Sequence, residues 1–302
     1  MIELRPGLFA VLAVPLILVL LRERKIAMRG VAIAACSLPF LLPPTAPFAR
    51  GAAALLTWLF LVKTLQYTAG HERPVGLTDL LQFLLIPVVV RWDSPRRTDG
   101  RRAARTLLTA LMQLGLAFLI MLAVLQIDSH HPVQLITTQF GIYLTLAGTC
   151  NLAALSLCVR GVDYDDPFDN PLMARTPREF WGRRWNTWVN HMLYRYVFIP
   201  SGGWRRPARG TLAAFAVSAA LHEGFTDVGT RSFSGWMGAF FLVQGLLVIA
   251  TSKSRWFRRM ARQQPAIARA LTLILMIATG VMLVRGADGI DPSDAWARCC
   301  KS

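Results

Sequence analysis

Charge is scarce in this sequence. Only 17% of its 302 residues are Asp, Glu, Lys or Arg, against about 25% in an ordinary soluble domain. Hydrophobic residues make up 54%, which excludes a disordered chain. Acidic residues are scarcer still, 17 against 33 basic ones, so the net charge is +16. Five scattered cysteines in a chain of this length exclude a small disulfide scaffold. No Cys-x-x-Cys or His-Glu-x-x-His ligand set occurs, so no metal is expected. No Gly-x-Ser-x-Gly elbow occurs, which argues against a serine-nucleophile lipase. Repeats of 20–50 residues and paired inverted halves are absent too, and with them the usual sign of a secondary transporter. A pI near 10.9 in a soluble chain would point to nucleic acid. No RNA- or DNA-binding motif accompanies it, and no nucleic-acid partner is expected.

What the sequence has is long uncharged runs. Thr106–Ile127, Val133–Val159, Phe233–Ser252 and Val31–Ala49 are 22, 27, 20 and 19 residues long. Runs of this length read as transmembrane helices, although Pro39, Pro43, Pro44 and Pro47 must break or kink the last of them. Shorter or interrupted candidates are Pro6–Leu21, Gly51–Gly70 with Lys63 inside, Gly210–Val228 with His222, Glu223 and Asp227, and Pro265–Val284. Leu77–Val90 is too short to span, contains Pro87, and reads as a re-entrant or interfacial segment. The expected fold is an all-α polytopic membrane protein with about eight transmembrane helices, a re-entrant segment and interfacial helices. It forms one membrane-embedded domain over residues 1–302.

Orientation follows from the basic residues. Segments 22–30, 71–76, 91–105, 160–209 and 253–269 fall on one side and carry 26 of the 33. That side is expected to be cytoplasmic, with both termini outside. The first apolar run precedes its basic cluster and lacks a small-residue cleavage site, so it reads as a retained helix. Arginine supplies 29 of the 33 basic residues, as in a GC-rich genome. The expected location is a multi-pass position in a bacterial inner membrane. Cys299-Cys300 could take a lipid, but this topology puts them outside, away from cytoplasmic acyl donors.

Chemistry concentrates in the core at about 170–250. Asp163, Asp165, Asp166 and Asp169 sit among prolines in a turn-rich loop, without the Gly and Glu positions of an EF-hand. Thr176 with Glu179 forms a capping-box pattern and Pro177 falls at the first helical position. The spacing predicts one interfacial helix running toward Phe198, with Trp181, Trp185, Trp188 and Met192 on one face. Farther on, His222 lies 12 residues into the run from Gly210, about 18 Å deep at the helical rise. An ionisable residue at that depth is a candidate functional residue ahead of a merely structural one.

The blocks FWGRRWN at Phe180–Asn186, VFIP at Val197–Pro200 and FAVSAALHE at Phe215–Glu223 together resemble the wax-synthase-like branch of the membrane-bound O-acyltransferase family. The resemblance implies transfer of an acyl group from acyl-CoA to the hydroxyl of a lipophilic alcohol. It carries the essential histidine to His222 and the polar partner to Asn186. Arg183 and Arg184 match the family's basic pair and, with Trp181 and Trp185, are the substrate-binding candidates. His191 matches no catalytic position, and the arginine expected before the VFIP end appears one place late, as Arg195. The chemistry suits these residues on its own terms. A neutral imidazole can take the hydroxyl proton, an Asn amide can stabilise an oxyanion, and arginines can grip the phosphates of CoA. The expected partners are acyl-CoA as co-substrate, the alcohol acceptor and membrane lipids. No cofactor is expected, and no oligomeric state is read. Two other classes compete. One is a transporter or channel using His222, Glu223 and Asp227 as a polar path, and the other is a non-catalytic scaffold.

Overall fold

A computed structural model describes residues 4–43, 45–124, 126 and 132–287. Cys299 and Cys300 lie outside the described residues. The helices in chain order are α1 (Leu4–Leu20), α2 (Lys25–Ala35), α3 (Pro47–Thr68), α4 (Leu77–Leu85), α5 (Gly100–Val124), α6 (Pro132–Val159), α7 (Pro177–Glu179), α8 (Thr187–Leu193), α9 (Pro207–Thr230), α10 (Trp236–Lys253), α11 (Arg255–Gln263) and α12 (Pro265–Ala287).

Among the described residues, four helical stretches are long and apolar enough to cross a membrane: Gly100–Val124, Ile136–Val159, Trp236–Lys253 and Pro265–Leu283. α5 turns Leu108, Leu111, Met112, Phe118 and Leu119 outward, as a surface solvated by lipid requires. α3 and α9 are also long, but they bury polar side chains: Arg50, Thr57, Lys63, Thr64, Gln66 and Thr68 on α3, and Ser218, Glu223 and Thr226 on α9. The two helices pack together, and α9 packs on α10 as well. Polar groups on a membrane helix face the interior of the bundle, and this pair occupies it.

Val31–Ala49 is not one helix. α2 stops at Ala35, a short 3-10 turn follows at Leu38–Leu41, and α3 begins at Pro47. The four prolines remove the amide donors that a continuous helix would need. Leu77–Val90 is likewise interrupted. α4 ends at Leu85, and the chain becomes extended at Ile86. It then enters strand β1 (Val90–Arg91), which pairs antiparallel with β2 (Asp163–Tyr164). This two-residue ladder is the one sheet pairing among the described residues of an otherwise helical fold. The aspartate loop therefore runs beside the segment that follows α4. Asp79, 2% exposed on α4, is paired with Arg96 at 2.5 Å and Arg160 at 2.7 Å.

Candidate active site

Thr176 opens the motif segment. Its Oγ1 accepts from the Glu179 amide at 3.0 Å, as the capping pattern predicts. Glu179 answers with both oxygens: Oε2 accepts from the Arg175 amide and Oε1 from Arg184 Nε, each at 2.8 Å. Burial pushes the Glu179 carboxyl up, but these bonds and the charges of Arg184 and Arg175 hold it below its ordinary range.

The helix expected to run on to Phe198 breaks. After a π-helical turn at Phe180–Arg184, Trp185 is extended and Asn186 is left-handed at φ 42°. Asn is among the few residues that enter this region readily. Its Oδ1 accepts from Val189 N at 3.3 Å and so caps α8. The aspartate loop secures the break: Thr187 N donates to Pro167 O at 3.0 Å, Thr187 Oγ1 to Asp166 O at 2.9 Å, and Asp169 N to Arg184 O at 3.0 Å. Asn190 Nδ2 donates to Gly182 O at 2.8 Å across the break.

The break sends the three tryptophans of the expected single face to three places. Trp181 enters the cluster of Phe215, Phe240 and Phe241. Its Nε1 donates to Gln244 Oε1 at 3.0 Å, and Gln244 Nε2 donates to Thr279 Oγ1 at 2.6 Å. Trp185 stacks on Phe180 at 5.4 Å and meets Tyr143 and Phe168. Trp188 lies 4.7 Å from the buried ammonium of Lys63.

His222 projects from α9 toward the same aromatic cluster, its ring 4.0 Å from Phe241 and 4.9 Å from Phe225. Nδ1 lies 2.8 Å from the Ser218 carbonyl. A carbonyl oxygen only accepts, so Nδ1 holds the proton and Nε2 keeps its lone pair. Glu223, the next residue, faces elsewhere. Its carboxylate accepts from Ser234 N and Oγ (both 3.2 Å), Gly235 N (2.6 Å) and Gly238 N (2.7 Å), where α10 begins. A carboxylate saturated by four donors is a helix anchor, which argues against the polar-path reading.

The structure thus joins Trp181 and His222 through Phe241. No hydrogen bond joins Asn186 to His222 among the described residues. A relay of rings connects them instead: Trp185 to Trp181 at 6.0 Å, then Trp181 to Phe241 at 5.9 Å. The basic pair divides. Arg183 is exposed. Arg184 is committed to Glu179, to Asp169 O at 2.9 Å and to the Asp169 carboxylate at 3.6 Å. Those bonds make it a brace for the loop. Gly210 sets α9 against the end of this segment, because a Cβ there would lie 2.7 Å from the Phe198 ring.

Two further residues belong to the site's framework. Gln244 is fully buried in α10, and a polar amide inside an uncharged run was the sequence signal for it. Lys63 is also fully buried. Its Nζ donates to Val88 O at 3.4 Å and lies 4.3 Å from the Phe83 ring centroid. It thereby ties α3 to the segment that follows α4.

Residues 90–285 match the profile of the membrane-bound O-acyltransferase family, a stretch that includes every motif residue above. The chain belongs to this family. Within it, the chain is 33% identical over 141 residues to a probable long-chain-alcohol O-fatty-acyltransferase 3 of Arabidopsis thaliana, covering 42% of this chain and 40% of the relative. It is 28% identical over 253 residues to a long-chain-alcohol O-fatty-acyltransferase of Simmondsia chinensis, covering 76% and 71%. It is 25% identical over 255 residues to an acyl-CoA–sterol O-acyltransferase 1 of Arabidopsis thaliana, covering 76% and 72%. The matched part is less than half of the first relative's length and 51% of that of a second Arabidopsis long-chain-alcohol relative. These relatives stand on the wax-synthase-like branch. They are plant proteins and lend no support to a bacterial inner membrane.

Proposed function

We propose that this protein is an integral-membrane O-acyltransferase that moves an acyl group from acyl-CoA to the hydroxyl of a lipophilic alcohol, forming an ester. The observation that carries the reading is His222, whose Nδ1 is committed to Ser218 O while Nε2 remains available inside an aromatic cluster. Nε2 takes the hydroxyl proton as the alcohol oxygen attacks the thioester carbonyl. The new C–O bond forms, the C–S bond breaks, and the proton passes to the departing CoA sulfur. The Asn186 amide, whose Oδ1 caps α8, keeps its NH₂ to stabilise or orient the oxyanion. Acyl-CoA is the co-substrate and no cofactor takes part. The names of the relatives support long-chain alcohols first and sterols second as the acceptor class.

The topology belongs to the same proposal: about eight crossings with both termini outside, the second of them broken by its prolines, and Leu77–Val90 re-entrant. The test is purified protein with labelled acyl-CoA and a panel of long-chain alcohols and sterols. Labelled ester should appear together with free CoA. Release of neither would overturn the reading.

A further inference from the structure

Arg91, Arg102, Arg160 and Arg184 each meet a carboxylate of this chain. The arginines of α11 do not. Arg255, Arg258, Arg259 and Arg262 are all exposed, and among the described residues their guanidinium groups make no hydrogen bond or ion pair. No partner is near in sequence either, since Val228–Ala287 holds no Asp or Glu. Arg255 and Arg262 each stand three and four positions from Arg258 and Arg259, the spacings at which like charges on a helix repel. Arg255 also opens the helix, at the positive end of its dipole. A helix of nine residues does not carry such charge unaided. Ser254 Oγ caps it by accepting from Phe257 N at 3.2 Å, and Phe257 and Met260 pack on Ala268 of α12. Neither contact answers the charge.

The height of α11 is fixed by its neighbours. α10 ends at Lys253 and α12 begins at Pro265, and each is long and apolar enough to cross a membrane. The helix between them therefore lies at the membrane surface, where one crossing ends and the next begins. Its apolar side chains are spent on α12, so what it turns outward is charge, together with Trp256, which is 66% exposed. Tryptophan favours the headgroup level, and guanidinium groups donate bidentately to phosphate. We infer that α11 is a binding surface for the headgroups of anionic phospholipids in the adjoining leaflet. A zwitterionic headgroup offers the same phosphate but no net charge to offset the four arginines. The inference needs α10 and α12 to cross the membrane and owes nothing to the acyl-transfer reading.

The experiment places a fluorophore on Q263C, at the exposed end of α11, in the full chain without its native cysteines. The protein is reconstituted in phosphatidylcholine vesicles. A trace of phosphatidylglycerol or phosphatidylcholine with a spin label high on its acyl chain is the quencher, and the ratio of the two quenching efficiencies gives the local preference. Phosphatidylglycerol should be favoured about fivefold, the gain that one basic residue makes beside an anionic surface. High salt should bring the ratio toward one, because the attraction is between exposed charges. R255Q/R258Q/R259Q/R262Q should abolish the preference, and the four matching lysine substitutions should keep most of it. Single glutamine variants should each lower it part-way, which decides the matter if the fourfold variant fails to melt cooperatively. Equal quenching by the two lipids in the unsubstituted helix would overturn the inference, as would a preference unchanged in a folded fourfold glutamine variant. An excess of inorganic phosphate at matched ionic strength should leave the preference standing. Its loss there would assign the arginines to a soluble anion and overturn the lipid surface as well.

Discussion

The proposed reaction gives His222 and Asn186 different work, and substitutions can separate it. His222→Ala removes the Nε2 lone pair. Its Nδ1 bond runs to a carbonyl that already belongs to the α9 ladder, so the loss falls on rate more than on folding. Acyl transfer should drop about 10²–10⁴-fold, with the variant still inserted and folded by size exclusion and thermal melting. Near-normal turnover would remove the general-base role. Asn186 demands a subtler change, because it is a left-handed residue, a helix cap and a candidate oxyanion donor together. Asn186→Asp keeps the capping oxygen and tolerates the backbone, yet loses the NH₂. Its melting temperature should stay close to wild type while turnover falls about 10²–10³-fold. Asn186→Gly keeps the backbone freedom and also loses the donor, so it should show the same rate defect. If Asn186→Asp turns over normally, the residue is a cap alone. Both residues stand out as candidates in the sequence because a deep histidine and a motif asparagine are local signals. The capping role does not, since a left-handed conformation at a non-glycine position leaves little trace in residue type.

The break at Trp185–Asn186 is what assembles the elements. A straight helix would have aligned Trp181, Trp185 and Trp188. The bend instead spends one on α10, one on Tyr143 and Phe168, and one on Lys63. Helical periodicity predicted a shared face because it assumes one continuous axis. The contacts that end the axis come from the aspartate loop and lie far off in any periodic count. Thr176, Pro177 and Glu179 were legible because capping is written within four residues. The brace built on Glu179 has a pH signature. Its carboxyl is held below the ordinary range, so its stabilisation is present above that range and is lost as pH falls through the depressed value. Protection of the 177–193 amides, corrected for the intrinsic pH dependence of exchange, should therefore fall in the wild-type protein once pH drops below the ordinary carboxylate range. Glu179→Gln should exchange quickly already at neutral pH and show a flatter acid response. An acid response in Glu179→Gln equal to wild type would assign the effect to another group. Glu223 is the corresponding anchor for α10. Glu223→Ala leaves three backbone amides and a hydroxyl without their acceptor, and should destabilise by about 1–3 kcal/mol. Because Phe241 rides on α10 against His222, turnover should fall with the melting temperature. A Glu223→Ala protein that melts normally would refute the anchor.

Over the whole molecule, apolar and basic surfaces sort to different places. α5 shows leucines, methionine and phenylalanine outward along its length. α11 carries Arg255, Arg258, Arg259 and Arg262 while it buries Phe257 and Met260 against Ala268. This is the form of a helix lying at a membrane surface. Arg205, Arg206 and Arg209 stand where α9 starts. α9 and α10 are joined at the opposite end of α9 by residues 231–235, and α10 then returns to Lys253 and the arginines of α11. Basic residues therefore crowd one end of the α9–α10 pair, as they do on the cytoplasmic side of membrane proteins. If that end faces the cytoplasm, Asn170 in the aspartate loop lies inside and Ser232 in the α9–α10 turn lies outside. Single cysteines at the two positions, in a background without the native five, should react oppositely with a membrane-impermeant maleimide. Ser232→Cys should label in intact cells, and Asn170→Cys only after permeabilisation. Labelling of position 170 from outside would invert the topology and place the motif segment and the basic end of the α9–α10 pair away from the cytoplasmic pool of acyl-CoA, so it would count against the proposed reaction as well as the orientation.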